Sequence, residues 1–354
     1  MNSPISELDP LAPLEWPSVT VIMPVRNEGA FISRSVGSVL EQDYPADRTE
    51  IMIVDGMSTD GTRAFVQSLA QRDPRVRLID NPRQIVAPGL NRAFALASGD
   101  IIVRVDGHCE VPPDYVRRCV AHLVSDGVEA VGGAVDTIGE TPVARVIAAA
   151  MSCPFGVGNS AFRTTRDHSM LADTVPFPAY TRAAIVRAGP YCEELVRNQD
   201  DEYNYRLREM NTSVLLAHDV SSRYYTRGSL RSLWRQYFQY GYWKVRVMQK
   251  HPRQMRPRQF APPTFAGALI LGVLGWMAGV WPAWVPGALV ALYTLVNLYA
   301  SIRVATRKSI DLPVLLPVTF SILHLAYGTG FLFGLVKFWN GWDLRGLVPA
   351  IQRD

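Results

Sequence analysis

Residues 91–108 read NRAFALASGDIIVRVDGH. The first part continues a helical pattern that opens at Pro88-Gly89-Leu90. The second, from Asp100, is an apolar run that ends in Asp106-Gly107-His108. A helix followed directly by such a run reads as part of a βαβ unit. The same alternation extends upstream. SVTVIMPVR (18–26), EIMIVDG (50–56) and VRLIDN (76–81) read as strands. FISRSVGSVLEQ (31–42) and TDGTRAFVQSLAQR (59–72) read as helices, the latter opened by the N-cap chemistry of Thr59 and Asp60. Four alternations predict an α/β domain with a parallel, doubly wound sheet. Ligands in such sheets lie beyond the carboxyl ends of the strands. Arg26-Asn27-Glu28, Asp55 and Asp106-Gly107-His108 are therefore the first places to look for chemistry.

The rest of the chain is of a different kind. Of 354 residues, 48% are hydrophobic and only 19% charged, below the roughly 25% of an average soluble chain. The deficit is local: no Asp, Glu, Lys or Arg occurs from Phe260 to Ile302 or from Leu312 to Val336. Uncharged apolar runs of about 18 or more residues read as membrane spans. Three are expected, at about 264–282, 284–302 and 312–337. Arg303, Arg307 and Lys308 lie between the second and third, which by the positive-inside rule puts that loop in the cytoplasm. The opening MNSPISELDPLAPLEWP has neither a basic head nor an apolar core. It is not read as a signal peptide, so the residues ahead of the first span are expected on the cytoplasmic face. Cys109, Cys119, Cys153 and Cys192 show no CxxC pair and read as reduced thiols.

The net charge of +4 hides an asymmetry, since no acidic residue occurs between Asp219 and Asp311. Arg223, Arg227, Arg231, Arg235, Lys244, Arg246, Lys250, Arg253, Arg256 and Arg258 fall in that gap, interleaved with Trp234, Tyr237, Phe238, Tyr240, Tyr242 and Trp243. Basic and aromatic residues leading into an apolar span read as an interfacial segment on anionic lipid, not as a nucleic-acid surface.

Individual signals are modest. Asp106 and His108 at a strand end suit a divalent cation that also binds phosphate, and Mn²⁺ tolerates the imidazole. The alternative is a capped turn. In VDGMSTDGT, Gly56 is expected to supply an unusual backbone angle and Asp60 to cap the next helix, while Asp55 faces the crevice. Neither GxGxxG nor GxxxxGK[ST] is present. NQDDEYNYR (198–206) sets Asp200, Asp201 and Glu202 at a helix start. They read either as dipole-complementing residues, with Glu202 and Arg206 a surface pair, or as a general base. In RQYFQYGYWK (235–244), aromatic faces suit sugar rings and Gln239 suits hydroxyls.

Taken in order, VTVIMPVRNE, IVDGMSTDGT, NRAFALASGDIIVRVDGH, the carboxylate cluster before YNYRLRE, and the QxxYW stretch resemble the family 2 inverting glycosyltransferases over about residues 18–250. RVDGH, SCPFGVGNSAFR, DTVPFPAYTR and LVRNQDDEYNYRLR, followed by C-terminal spans, make the chain most similar to the ExoA-type succinoglycan biosynthesis enzymes. The resemblance implies a GT-A (Rossmann-like) domain at 18–222 after an N-terminal extension (1–17). A basic aromatic interfacial segment (223–259), a transmembrane α-helical region (260–338) and a C-terminal tail (339–354) would follow. It implies a UDP-sugar donor, UDP-glucose by default, a polyprenyl-linked glycan acceptor, and Mg²⁺ or Mn²⁺. Pro24, Arg26, Glu28, Asp55, Arg83 and Asp106 would bind donor, and Asp106 and His108 the metal. Asp200 would be the base by its spacing to Arg206, with Asp201 the neighbouring alternative. Arg182, Gln239, Tyr242 and Trp243 would meet the acceptor or, for Arg182, the diphosphate. The pattern departs from the family's at His108, Gln199 and Tyr242, which stand where acidic, acidic and Arg residues are usual. Two rival readings are a polyprenyl-phosphate hexose synthase and a non-catalytic nucleotide-sugar-binding membrane protein.

Overall fold

The computed structural model describes residues 16–342 except 159 and 227. Most of the expected N-terminal extension and C-terminal tail, and Arg227 of the basic run, lie outside the described residues. The chain forms two compact units. The first comprises the described residues up to Val135, with Thr165–Glu193 and Tyr203–Tyr224; the second comprises Asp136–Thr164, Glu194–Glu202 and the described residues from Tyr225 onward. The last boundary between the units falls between Tyr224 and Tyr225, and the second unit also takes two earlier segments.

In the first unit, β1 (Val19–Val25), β2 (Thr49–Asp55), β3 (Val76–Asp80) and β4 (Ile101–Arg104) are parallel, as the alternation predicts. They are linked through α1 (Ile32–Leu40), α2 (Thr62–Ala70) and α3 (Val86–Leu96). Ile51 to Val54 are at most 1% exposed. Such a continuous apolar run suits a strand covered on both faces. Register decides where the polar ends fall: Val25 pairs with Asp55, and Asp55 with Asp80. Arg104 pairs with Ile22, which carries Asp106 beyond the same end.

Beyond these four strands the sheet is mixed. It continues through β5 (Cys109–Glu110), β6 (Ala130–Ile138), β7 (Met170–Leu171), β8 (Ala179–Thr181) and β9 (Val214–Tyr225). The order is β3-β2-β1-β4-β8-β6-β9-β5, with β7 also on β9. β8 runs antiparallel to β4 and β6, and β5 and β7 antiparallel to β9. Helix α4 (Tyr115–Ser125) carries His122, whose ring lies 2.6 Å from Asp126 Oδ2 and 2.8 Å from Asp219 Oδ1.

The second unit is helical. It contains α5 (Pro142–Met151), α6 (Pro154–Val157) and α7 (Ala161–Thr164). After α8 (Arg182–Ala188) of the first unit, the second unit takes the first turn of α9 (Gln199–Glu209). It ends in α10 (Leu230–Lys250), α11 (Pro257–Met277), α12 (Trp284–Arg307) and α13 (Leu316–Lys337). The last three are long and apolar enough to cross a membrane. The first begins earlier than expected, with Pro257 opening it and Pro262 and Pro263 inside it, and it stops at Met277 instead of near 282. The prolines before the third form a 3₁₀ turn at Pro313–Leu315.

Of the three, α13 is the most enclosed, and glycines explain why. A Cβ on Gly241 of α10 would lie 2.0 Å from the Tyr327 carbonyl oxygen. One on Gly330 would lie 2.1 Å from Phe238 O, and one on Gly334 2.7 Å from Tyr242 O. Backbones that approach this closely need small residues at the contact. His324 of α13 bridges Tyr293 of α12 (2.9 Å) and Phe155 O of α6 (2.8 Å). The carbonyl can only accept, so His324 Nε2 donates and Nδ1 accepts from the tyrosine hydroxyl.

Two predictions follow from this packing. Gly330→Val should lower the melting temperature of the detergent-solubilised protein and expose α10 to protease, because overpacking at a backbone contact costs about 1–3 kcal/mol or more. Gly287→Ala, where a Cβ meets nothing within 4 Å, should do neither. The second concerns pH. Burial pulls the His122 imidazole down, but its bonds to Asp126 and Asp219 outweigh that and raise its pKa above 6.5. Its bond to His122 lowers Asp126; burial raises Asp219, but the same histidine lowers it overall. The histidine contribution is complete below the unfolded value of 6.5 and is lost as pH rises through the raised folded value. The carboxylate contribution is present above the unfolded value of 3.8 and is lost as pH falls through the lowered folded values. Protection factors of the α4 and β9 amides, corrected for the intrinsic pH dependence of exchange, should thus be highest near pH 5–6, and His122→Gln should cost more protection at pH 5.5 than at pH 8.

Candidate active site

In the first unit, the loop after β1 is stitched to the loop after β2. Asn27 N–H donates to Ser58 Oγ at 2.8 Å, and Thr59 N–H to Asn27 Oδ1 at 2.9 Å. Glu28 N–H donates to Thr62 Oγ1 at 2.9 Å, and Gly29 N–H to Asp60 Oδ2 at 2.8 Å. Asp60 is not the N-cap of α2; Gly61 is, at φ +93°, while Asp60 Oδ1 accepts from Thr62 N–H and Oγ–H. Nor does Gly56 take the unusual backbone angle; Met57 does, at φ +59°. Gly56 is required for space, since a Cβ there would press on the Arg26 side chain at 3.2 Å.

These loops set the candidate donor residues. Pro24 lies within β1 opposite Val54. Arg26 is exposed, and its guanidinium reaches Gln84 Oε1 at 2.5 Å. Asp55 is fully buried; its carboxylate accepts from Ser58 N–H at 3.2 Å and Arg63 Nη1 at 3.2 Å, while Arg63 also holds Asp80 at 2.7 Å. A base or ribose would reach Asp55 only if that turn opened. Arg83 follows β3 at the same end of the sheet and pairs with Glu193. Arg182 does not join this group. Its Nε donates to Gly99 O at 2.8 Å and its Nη2 to Ala97 O at 2.9 Å, ahead of β4. Ile101 to Asp106 covers about 17 Å of extended chain at ~3.3 Å per residue. Arg182 therefore braces the α3–β4 turn, at the far end of β4 from Asp106.

Asp106 and His108 do come together with Glu28. Arg104, 7% exposed, donates Nε to Asp106 Oδ1 at 3.0 Å. His108 Nδ1 lies 2.9 Å from Glu28 Oε1. A Cβ on Gly107 would meet Val25 at 2.9 Å and Glu28 at 3.0 Å, so glycine lets Glu28 lie across this turn. An ionised carboxylate only accepts, so Nδ1 is the donor, which in the neutral ring leaves Nε2 its lone pair. Metal-binding histidines are commonly oriented by a carboxylate in this manner. The set fits a divalent cation: Asp106 Oδ2 and His108 Nε2 have no hydrogen-bond partner among the described residues. No group of three or more His, Cys, Asp or Glu forms a complete cage among them, so substrate oxygens and water would supply the remaining ligands. Glu28 thus has a use the sequence did not reveal, as the orienter of His108.

In the second unit, Asp200 and Asp201 open α9. Asp201 is bound on two sides: its carboxylate pairs with Lys244, 3% exposed, and its carbonyl accepts from Gln254 Nε2 at 2.8 Å. Asp200 Oδ2 accepts from Gln199 Nε2 at 3.3 Å. Glu202 is not on the surface; it is 2% exposed and its Oε1 lies 3.1 Å from His251 Nε2. Gln239 Oε1 accepts from Arg197 Nε at 3.1 Å, and Asn198 Nδ2 donates to Tyr240 O at 2.9 Å, so the segment before α9 is tied to α10. Tyr242 and Trp243 meet edge to face with centroids 5.3 Å apart, and both pack on Phe338. The sequence placed Lys244 in the basic run but did not reveal its pairing with Asp201.

Residues 20–188 match the profile of Glycosyl transferase family 2. Succinoglycan biosynthesis protein ExoA of Rhizobium meliloti is 31% identical over 339 residues, 91% of this chain and 96% of the relative. A Methanococcus voltae enzyme named as a dolichyl N-acetyl-α-D-glucosaminyl phosphate 3-β-D-2,3-diacetamido-2,3-dideoxy-β-D-glucuronosyltransferase is 23% identical over 90% of this chain and 97% of its own. Among solved structures, the mannosyltransferase PcManGT from Pyrobaculum calidifontis, in complex with GDP-Man and Mn²⁺, superposes with a TM-score of 0.58 at 21% identity. That match covers 90% of this chain and 88% of the mannosyltransferase, and it establishes the shared GT-A-like fold.

The Lys244–Asp201 pair makes a prediction of its own. Asp201→Asn leaves a buried ammonium without its counter-charge and should destabilise the second unit by about 2–3 kcal/mol, less than for a fully buried pair because Asp201 is partly exposed. Adding Lys244→Met should restore most of the melting temperature. A double variant no more stable than Asp201→Asn would show that the ion pair does not bear the load.

Proposed function

Because this chain belongs to the family 2 glycosyltransferases, we propose that it is a membrane-anchored, metal-dependent, inverting hexosyltransferase. It moves a hexose from a UDP-sugar, UDP-glucose by default, to a polyprenyl-linked glycan during exopolysaccharide or other cell-surface polysaccharide synthesis. The observation that supports this most is the likeness to ExoA along nearly the whole of both chains, apolar helices included. The name of the Methanococcus relative, whose acceptor sugar is carried on a dolichyl phosphate, favours a lipid-linked acceptor. Arg303, Arg307 and Lys308 beside the second and third spans favour a cytoplasmic catalytic side.

Asp106 and His108 would hold a divalent cation, which when bound offsets the charge of the leaving nucleoside diphosphate. Glu28 keeps His108 in the tautomer with Nε2 free. Arg26 lies exposed beside the same strand ends, suited to the donor phosphates, with Asp55 and Arg63 bracing the turn beneath. Asp200 takes the proton of the acceptor hydroxyl as its oxygen bonds to the anomeric carbon and the bond to the diphosphate breaks, inverting that centre. Asp201 is the weaker candidate because its carboxylate is held by Lys244.

Membranes containing the protein, given labelled UDP-sugars and then extracted for lipid, should yield label in a lipid-linked glycan. Label on the lipid phosphate itself would mean a polyprenyl-phosphate hexose synthase instead. Donor binding without turnover on a broad acceptor panel would mean a sensor. Asp200→Asn should lower turnover roughly 10²-fold or more with UDP-sugar affinity nearly unchanged. Asp106→Asn should weaken UDP binding as well. Activity that survives both chelator and Asp106→Asn would end the metal assignment.

A further inference from the structure

The basic residues of α10 divide by partner. Lys244 pairs with Asp201, while Arg246 and Lys250 both reach Glu194, at 2.6 and 2.9 Å. Arg231 and Arg235, one turn apart in the first half of the helix, have no acidic partner among the described residues, and both are exposed. They border a groove of about 540 Å³ whose other walls include Trp234, Gln239 and Trp243 of α10 and Phe333 of α13. Phe333 is 55% exposed on a helix long and apolar enough to cross a membrane. The groove therefore combines two uncompensated guanidiniums, an aromatic wall and an edge formed by a membrane-spanning helix.

We propose that this groove binds the phosphate or diphosphate of an isoprenoid lipid. Arg231 and Arg235 take the phosphate oxygens, and Trp234 and Phe333 take the first isoprene units. Guanidinium forks suit phosphate oxygens in pairs. An isolated inorganic phosphate would leave the aromatic wall unused, and a neutral lipid would leave both cations uncompensated. The inference rests on the lipid-linked acceptor proposed above and adds to it the part of the acceptor this helix holds. Gln239 and Trp243, further along the same face, then meet the first sugar beyond the phosphate.

The test uses the full chain in nanodiscs of neutral phospholipid, with native mass spectrometry and fluorescence titration of a dansylated polyprenyl phosphate. Wild type should bind the polyprenyl phosphate and discriminate against polyprenol, phosphatidylglycerol and pyrophosphate. Arg231→Gln and Arg235→Gln should each weaken binding on the order of tenfold, since each removes a charge-assisted hydrogen bond to the phosphate. The double variant should lose roughly a hundredfold if the two act independently. UDP binding, measured alongside, should not move. Equal binding by wild type and the double variant overturns the inference and leaves the proposed function intact. Equal binding of phosphatidylglycerol overturns it in favour of a general anionic surface, and equal binding of pyrophosphate in favour of a free-anion site. If lipid binding depends on both arginines but no sugar reaches any lipid, the inference stands and the proposed transferase activity fails.

Discussion

Three glycines set how the second unit is built. With Gly241, Gly330 and Gly334 in place, the backbone of α10 rests against that of α13 without side chains between them. An amphipathic helix and an apolar one have little reason to join so closely. The apolar helix can satisfy itself in lipid, and the polar face of the other belongs in water. Small residues change that balance, because close approach gains dispersion contacts along the whole seam. Once α10 is fixed this way, its other positions are fixed too. Lys244 is buried against Asp201, Gly241 faces the seam, and Arg231, Arg235 and Gln239 lie at a groove partly walled by α13.

The first unit solves a comparable problem with hydrogen bonds. Loops at the ends of parallel strands have no ladder to hold them. Here the loop after β1 borrows donors and acceptors from the loop after β2, through Ser58, Asp60 and Thr62. These residues read as ordinary turn chemistry in the sequence, and they are; the turn they form is also the support for Glu28. Glu28 in turn orients His108, and Arg104 holds Asp106. Each candidate metal ligand therefore has a neighbour that fixes its direction.

How much of this was legible depends on the length of the signal. The four parallel strands were readable because each is a run of four to seven residues between helices with clear periodicity. The antiparallel part was not. β5 and β7 have two residues and β8 three, too few for an alternation to register; β6 and β9 are long, at nine and twelve residues, and were not read as strands either. The site was legible as residue types and not as contacts. Asp106 and His108 could be named from their place at a strand end and Asp200 from the family resemblance, whereas the carboxylate of Glu28 that orients His108 comes from a distant segment. Arg182 shows the opposite failure: its motif position suggested a ligand contact, yet two backbone carbonyls occupy its guanidinium. The glycine seam left no trace at all, because glycines inside an apolar stretch look the same whether they face lipid or a neighbouring backbone.

The charge of the α10 segment, which read as one basic run, is two populations. The acidic partners of its second half all come from the short stretch 194–202: Glu194 for Arg246 and Lys250, and Asp201 for Lys244. Burial alone would raise Glu194, but those two cations hold its carboxyl below the usual range, so it stays ionised. The same stretch carries Asp200. It therefore neutralises one half of the helix and, in doing so, is itself clamped at both ends, with hydrogen bonds from Gln254 and Arg197 adding to the hold. The first half of α10 has no such stretch and keeps its charge. A helix that needed only to lie on anionic lipid would gain from leaving all its cations free. Pairing half of them internally weakens that attraction and instead fixes the position of a carboxylate. This division indicates that the ordering of residues 194–202, more than membrane adhesion, determines the arrangement of charge along α10.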